Sequence, residues 1–392
     1  MSTGFGEGIP YRICTRCIMD TTDPEIQFDE NGVCNHCRTY DAVASKNVFR
    51  GEEGRREIER IIATIKEKGK NKPYDCIIGV SGGVDSTTVA YHVKRLGLRP
   101  LAVHLDNGWD SEIGVKNIEN ALRTLGIDLY THVIDWEEFK DIQLSFLKSS
   151  IPNAEVPTDM AITALMHRQA RKQRLEYIIA GSNVVTEAIM PKSWMCDNLD
   201  LRLLKGIHKK FGTLPIKTFP TISVSRRLYN FMTNKIKYWY ILNYIDYNKE
   251  ESKKLIERQL GWRSYGPKHG ESIYTRFFQC YILPVKYNID KRKAHLSTLI
   301  ASGQMRRAQA LEEMKKPVYD PGLLQQDKEF VIKKLGLTEG EFEEIMNLPL
   351  KTHLDYPNSQ FIYKALTGMA RLFSRITGKS RRASKKMERG GI

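Results

Sequence analysis

The residues with the plainest chemical use are Ser81-Gly82-Gly83-Val84-Asp85-Ser86. They follow a short apolar run, Cys76-Ile77-Ile78-Gly79-Val80, and precede a stretch from Thr87 to Leu96 that reads as a helix. Strand, glycine turn and helix start aim backbone N–H groups at one point, which suits an anion. Gly82 and Gly83 let the backbone approach a ligand with no Cβ in the way. Ser81 and Ser86 add hydroxyl donors, and Asp85 offers a carboxylate to hold Mg2+ against phosphates. The Walker spacing G-x-x-x-x-G-K-[ST] and its lysine are missing. A turn that only caps the following helix is the plainer alternative.

Two thiol pairs lie upstream, Cys14-x2-Cys17 and Cys34-x2-Cys37. Two C-x-x-C knuckles joined by a loop meet the demand of tetrahedral zinc, and four thiolates leave no open position, so a structural metal is expected. The linker reads as a small hairpin turning at Asn31-Gly32, and His36 is not expected to be a ligand. Four free core cysteines are the alternative.

A second dense region runs from Gly261 to Ser297. It holds His269, Glu271, Arg276 and Gln279, then Asp290-Lys291-Arg292-Lys293-Ala294-His295. Lys291 and Arg292 suit phosphate, whose charge the lysine-free loop does not itself offset. His269 and Glu271 are candidates for proton transfer or for holding a substrate. Plain hydrogen-bonding roles stand beside these readings.

The elements that must position these groups alternate from Tyr74 onward. Strands are expected at 75–80, 100–105, 129–134 and 177–180, and helices at 87–96, 111–125, 137–148 and 160–174. This is an α/β pattern, a doubly wound parallel sheet. Ligands of such sheets sit at the carboxyl ends of strands, where Ser81–Ser86, Leu105, Asp106, Gly181 and Asn183 all fall. Thr158 or Asp159 reads as a helix N-cap, with a role near the transferred group as the alternative. After Val184 the rhythm stops. The aromatic and basic run through Phe231, Ile236, Trp239, Tyr240 and Ile245 reads as a helical subdomain, or else as a partner surface or interfacial helix. Four regions follow: a zinc module over 1–50, the nucleotide-binding α/β domain over 51–189, a helical substrate or partner region over 190–370, and a basic tail over 371–392.

Composition bounds the class. The 392 residues carry 41% hydrophobic and 27% charged side chains, as soluble globular chains do. No apolar run reaches membrane-spanning length, the first ten residues are polar, and the cysteines suit a reducing compartment, so a cytoplasmic location is expected. The net charge is +15. Residues 370–392 supply eight Lys/Arg against Glu388, a local +7 that reads as a disordered extension.

SGGVDS resembles the pyrophosphate loop of the ATP pyrophosphatases, also called adenine nucleotide alpha hydrolase-like proteins. Together with RICTRCIMDTTDPEIQFDENGVCNHC, VHLDNGWDS, AGSN, IHKKFG, LNYIDYNK, GWRSYGPKHGES and DKRKAHLSTLIASGQM, it makes the chain resemble the N-acetyl sugar amidotransferases, the WbpG and PseA-like synthetases of bacterial surface-glycan and flagellin-sugar pathways. The likeness runs from about Arg12 to about Leu348. It implies that ATP is cut between its α and β phosphates, that the backbone of Leu105 meets adenine, and that Mg2+ and structural Zn2+ are bound. It further implies conversion of an acetamido group on a nucleotide-linked sugar into an acetamidino group, through an O-adenylyl imidate that ammonia displaces. A separate class I glutaminase would supply the ammonia, with residues 229–247 as one docking face. Nucleic acid is not an expected partner.

The strongest rival is a tRNA-thiolating enzyme of the same superfamily. Such enzymes transfer sulfur through further cysteines, and here only Cys76, Cys196 and Cys280 remain. A scaffold that binds nucleotide without turnover is a second rival.

Overall fold

The computed structural model describes residues 10–266 and 269–362. The expected basic tail, and Pro267 and Lys268 within the KHGES stretch, lie outside the described residues. Five strands form one parallel sheet: β1 (Cys76–Gly79), β2 (Pro100–Asp106), β3 (Asp128–Val133), β4 (Tyr177–Ile179) and β5 (Lys237–Trp239). Their order is β3-β2-β1-β4-β5. The chain steps from β1 to β2 and β3 on one side, then returns to place β4 on the other side of β1. The topological switch, where crevices open in such sheets, is therefore between β1 and β4.

β1 is buried on both faces, as its uninterrupted apolar sequence requires. Ile77, Leu101, Val103 and Ile178 join the core on one side, while Ile78, Ala102, Ile179 and Trp239 face the other. The helix Gly51–Gly69 lays a stripe of Ile58, Ile62 and Ile65 onto the second of these cores. The helix Glu112–Leu125 starts at Ser111, whose hydroxyl accepts from Gly114 N, and ends at left-handed Gly126. These are ordinary start and stop signals.

Two expectations are corrected. The sheet does not end at β4: residues 237–239 pair with it in register, Tyr177 opposite Lys237 and Ile179 opposite Trp239. The alternation Lys237, Tyr238, Trp239 has the period of a strand, but the flanking helical composition hid so short a segment. The helix expected over 160–174 spans Val156–Lys172, with Glu155 at its N-cap and Pro157 in its first turn. Thr158 and Asp159 therefore lie inside the helix and do not cap it.

The segment between residues 213 and 219 has no regular structure, and two carboxylates of the helix Trp136–Lys148 hold it. Glu138 accepts from Thr218 N at 2.9 Å and Phe219 N at 3.2 Å. Asp141 accepts from Leu214 N at 3.0 Å and lies 2.8 Å from His208 Nε2. Burial would raise both carboxyls, but these donors outweigh it and hold them below the usual range. The histidine of the IHKKFG motif is thus a strut. Beyond Lys291 the chain is helical, at Lys291–Ala301, Arg307–Lys315, Pro321–Leu335 and Glu339–Asn347.

Candidate active site at the sheet switch point

The loop after β1 leads straight into the helix Val84–Arg95. Gly82 has φ +78, and a Cβ there would lie 2.4 Å from Gly114 O, so glycine is required on two counts. Ser81 Oγ and Ser86 Oγ are 3.2 Å apart, Gly83 N donates to Ser81 Oγ at 3.3 Å, and Ser86 Oγ donates to Gly83 O at 3.2 Å. Both hydroxyls therefore lie at the turn with the backbone amides. Gly181, after β4, packs against the loop: a Cβ there would meet Asp85 C and Ser86 N at 3.2 Å.

Several braces were not evident from sequence. Trp262 Nε1 donates to Gly82 O at 2.9 Å, and Asn117 Nδ2 donates to Arg263 O at 2.8 Å. Val84 N donates to the Tyr265 hydroxyl at 3.3 Å. Tyr247 donates its hydroxyl to Asp85 Oδ1. Burial and then the charge of Asp85 keep Tyr247 well above the ordinary tyrosine pKa, so it is a neutral donor. Trp262 and Tyr265 belong to GWRSYG and Tyr247 to LNYIDYNK; their signal was composition near motifs, with no spacing to say what they hold.

A clip fastens the C-terminal region over the loop. Asp110 and Ser272 form an antiparallel bridge, Ser111 N donates to Glu271 O at 2.8 Å, and Ile273 N donates to Trp109 O at 2.8 Å. Glu271 is thereby set against the turn: a Cβ on Gly83 would lie 2.9 Å from Glu271 Oε1. His269, at φ +65, lies 3.9 Å by Nδ1 from Glu271 Oε1. Burial alone would raise the Glu271 carboxyl, but the hydrogen bond and charge of His269, with Tyr265, lower it. Arg276 supports the clip from below. It donates Nη1 to Gly270 O at 3.1 Å and pairs with buried Asp327 through Nε at 2.7 Å and Nη2 at 2.9 Å.

A second group of charges lies beside it. Lys291 Nζ donates to Glu155 Oε2 at 3.3 Å, and Gln279 Nε2 donates to the same oxygen at 2.8 Å. Asp159, one turn on from Glu155, accepts from Asn198 Nδ2 at 2.6 Å. Burial, then the charge of Glu155, push Asp159 up to about 7 against the opposing pull of Lys291 and His269. Thr158 joins this turn to the end of β2 through Asn107 Nδ2, 3.5 Å from its hydroxyl. Arg292 does not join this group. Its guanidinium pairs with Asp290 at 2.8 Å and donates to Lys316 O at 2.9 Å.

The remaining expected positions divide. β2 pairs with β1 only as far as Val103 and continues through Leu105 to Asp106, so the backbone at Leu105 lies past the end of β1. Asp106 Oδ1 accepts from Gly108 N at 2.9 Å, shaping the turn. Asn183 Oδ1 accepts from Thr186 N at 2.9 Å and caps the short helix Val184–Glu187. His104, not foreseen, lies 3.0 Å by Nδ1 from Val80 O and 3.2 Å by Nε2 from Asp110 Oδ2. Burial opposes its charge, but Asp110 and the carbonyl outweigh that and raise its pKa.

The four cysteine sulfurs lie within 4.8 Å of one another, all buried. Cys14 and Cys37 sulfurs are 4.0 Å apart, and Cys17 and Cys34 sulfurs 3.7 Å. Ligands at about 2.3 Å in a tetrahedron stand roughly 3.8 Å apart, so the thiols are spaced for a metal and too far apart for disulfides. Cys17 N and Cys34 N both point at Cys14 Sγ, at 3.4 and 3.3 Å. His36 turns away to Asp23, at 2.7 Å.

Residues 271–370 match the family model described as LPS biosynthesis protein WbpG-like, C-terminal domain. A stretch of 84 residues is 38% identical to the glutamine-hydrolysing GMP synthase of Pyrobaculum aerophilum, covering 21% of this chain and 16% of that protein. The corresponding enzyme of Thermus thermophilus is 35% identical over 82 residues, covering 21% and 15%. The chain thus matches less than a fifth of the length of these curated relatives. Among solved structures, an NH3-dependent NAD synthetase from Campylobacter jejuni has a TM-score of 0.28 at 17% identity, covering 73% of this chain and 97% of that one. NMN synthetase from Francisella tularensis has a TM-score of 0.26 at 16% identity, covering 34% and 57%. These structural likenesses are too slight to bear on function; the α/β fold stands on the strand order itself.

Proposed function

We propose, for a chain that carries a WbpG-like C-terminal domain behind a doubly wound α/β sheet with a pyrophosphate-loop sequence, that it is an ATP-dependent amidotransferase, the synthetase of a two-component system. Its substrate is a nucleotide-linked N-acetyl sugar of a bacterial surface polysaccharide or flagellin-sugar route, and its product carries an acetamidino group. The observation that carries this reading is the clip, which sets Glu271, at the head of the WbpG-like domain, against Gly83 of the loop. The loop proposed as anion cradle and the region proposed to take the acceptor are then neighbours.

The chemistry follows from the leaving group. An amide oxygen leaves poorly. Its attack on the α-phosphate of ATP forms a P–O bond and expels pyrophosphate, giving an O-adenylyl imidate. Ammonia then adds to the imidate carbon, AMP departs with the C–O electron pair, and a proton is shed to give the amidine. Electrostatic stabilisation carries the first step. Backbone amides of the turn, with Ser81 and Ser86, would take the pyrophosphate, and Asp85 would hold Mg2+, whose charge offsets that of the phosphates. The backbone of Leu105, past the end of β1, would meet adenine. Lys291 is the better of the two proposed cations: although paired with Glu155, it lies in the group that includes Asp159, whereas Arg292 is turned to Asp290 and the Lys316 carbonyl. His269, Glu271 and Asp159 are the groups available to accept the proton. The cysteine cluster fits structural Zn2+.

The thiolation rival is disfavoured by its sulfur chemistry. Burial raises the thiols of Cys76 and Cys196 well above the ordinary value and that of Cys280 to about 11, so none is a ready thiolate at neutral pH. Ammonia is assigned to a separate class I glutaminase. Its docking face is not the whole of residues 229–247, because Trp239, Ile241, Leu242 and Tyr247 are buried. The test is incubation with ATP, Mg2+, ammonium and a panel of nucleotide-linked acetamido sugars. Mass spectrometry should find O replaced by NH on one acetyl group, with AMP as co-product. ADP in place of AMP would sink the mechanism.

A further inference from the structure

Residues 201–245 contain nine Lys/Arg, from Arg202 to Lys237, and no Asp or Glu. Nothing in the proposed chemistry uses them. Two helices present most of them. In Leu201–Phe211, the side chains of Leu203, Leu204 and Ile207 are buried, leaving Arg202, Lys205 and Lys209 exposed on the outer face. In Val224–Thr233, Arg226 and Tyr229 are exposed, and Met232 is 74% exposed. Val224 lines one shallow groove with Arg202, Lys205 and Lys209, so the two helices form one surface.

Arg227 pairs with Asp197 at 2.7 Å and Lys237 with Glu176 at 3.5 Å, which leaves most of the charge on this surface without an acid. Arg202, Lys205, Lys209, Arg226 and Lys235 form no ion pair among the described residues. Arg226 and Lys235 flank the Tyr229 ring at 5.8 and 5.5 Å from its centroid. Burial, then the like charges of Arg226 and Arg168, lower the pKa of Arg171. Clustered charge of one sign raises the local potential and draws anionic surfaces.

We propose that this face docks on an anionic lipid bilayer, with bases at the headgroups and Met232 and Tyr229 inserted at the acyl boundary. An exposed methionine and tyrosine set among cations suit the depth of a membrane interface, where one end of a side chain is wet and the other apolar. A site matched to one acidic protein carries charges of both signs that fix its register; these 45 positions supply no acid, and the neighbouring Asp197 and Glu176 are already paired with Arg227 and Lys237. No helix among the described residues is long and apolar enough to cross a membrane, so the contact is peripheral.

The full chain is sedimented with vesicles of pure phosphatidylcholine and of phosphatidylcholine with phosphatidylglycerol, at near-physiological salt. Binding is expected to the anionic vesicles alone, and to weaken with added salt. Each basic residue near the surface is worth about fivefold in partitioning, so the double variant Lys205→Glu, Arg226→Glu should lose at least about 25-fold. Met232→Ser should weaken the binding that survives added salt. All three positions are exposed, and unchanged thermal melting of the variants confirms that folding is intact. Absence of binding overturns the proposal. So does equal binding by the double variant, which would assign the affinity to bases elsewhere, including those of residues 371–392. Tighter and variant-sensitive binding to a short RNA in the same buffer also overturns it.

Discussion

Asp85 and Tyr247 show how one hydrogen bond can divide the tasks of a site. The carboxylate stands at the start of the helix Val84–Arg95, where the positive helix end favours its charge, and the neutral phenol occupies one of its oxygens. The proposed metal role of this carboxylate is testable by substitution. Under the proposed function, Asp85→Asn should abolish ATP–pyrophosphate exchange while leaving the metal content and melting temperature of the parent unchanged; loss of metal or solubility would assign it a structural task. Asp159 makes a pH prediction. Its carboxyl stands at about 7 in the folded chain, against an ordinary aspartate value of 3.8. Between those values the folded chain holds a proton that the unfolded chain has released, so this group's contribution to stability falls as pH rises and is a full penalty above the folded value. Asp159→Asn removes that titration. Relative to the parent, the variant should gain in melting temperature from pH 5 to pH 8, and a difference that does not change with pH would refute the assignment.

At the scale of elements, the strands, the loop and the thiol pairs were legible because each is short-range. Four apolar runs with turn residues between them specify a parallel sheet, and C-x-x-C needs only four residues to aim its sulfurs. What escaped was long-range. Asp327 is 51 residues from Arg276 and Trp262 is 180 from Gly82, and no local pattern announces such partners. β5 escaped because three residues carry too little periodicity, and the start of the helix Val156–Lys172 because Thr158 and Asp159 resemble caps wherever they occur near a helix start. Two substitutions probe the elements that position the site. Gly82→Ala forces a left-handed conformation and a clash with Gly114 O; it should lower stability by about 1–3 kcal/mol and remove nucleotide binding, read by denaturant melts and by fluorescence titration with an ATP analogue. Arg276→Met leaves Asp327 buried without its cation. Breaking one side of such a pair costs about 3–5 kcal/mol, and the clip at Gly270 should loosen with it. Faster hydrogen exchange at Ser111 and Ile273, whose amides bond across the clip, is the expected signature.

At the scale of the molecule, the cysteine module is tied to the helix that begins at Lys291. Lys293 donates to Asp20 at 2.6 Å, Ile18 N donates to Ser297 Oγ at 3.2 Å, and Arg307 reaches Cys17 O at 2.9 Å and Cys14 O at 3.0 Å. Burial would raise the carboxyl of Asp20, but Lys293 and Thr22 outweigh it and keep it ionised. The thiol cluster thus braces one side of the helix Lys291–Ala301, and Glu155 holds its first residue from the other. A metal held by the cysteines would then be linked to the position of Lys291 without touching the proposed substrate. Cys34→Ser should lower metal content and stability together. A loss of about 3 kcal/mol would reduce the melting midpoint of a chain this long by roughly 4 °C. The same variant, assayed below its melting range, should retain nucleotide binding at the loop but lose sugar-dependent ATP–pyrophosphate exchange, because the cradle belongs to the sheet and Lys291 to the braced helix. If exchange survives in a metal-free, folded variant, the cysteine module stabilises the chain without positioning Lys291.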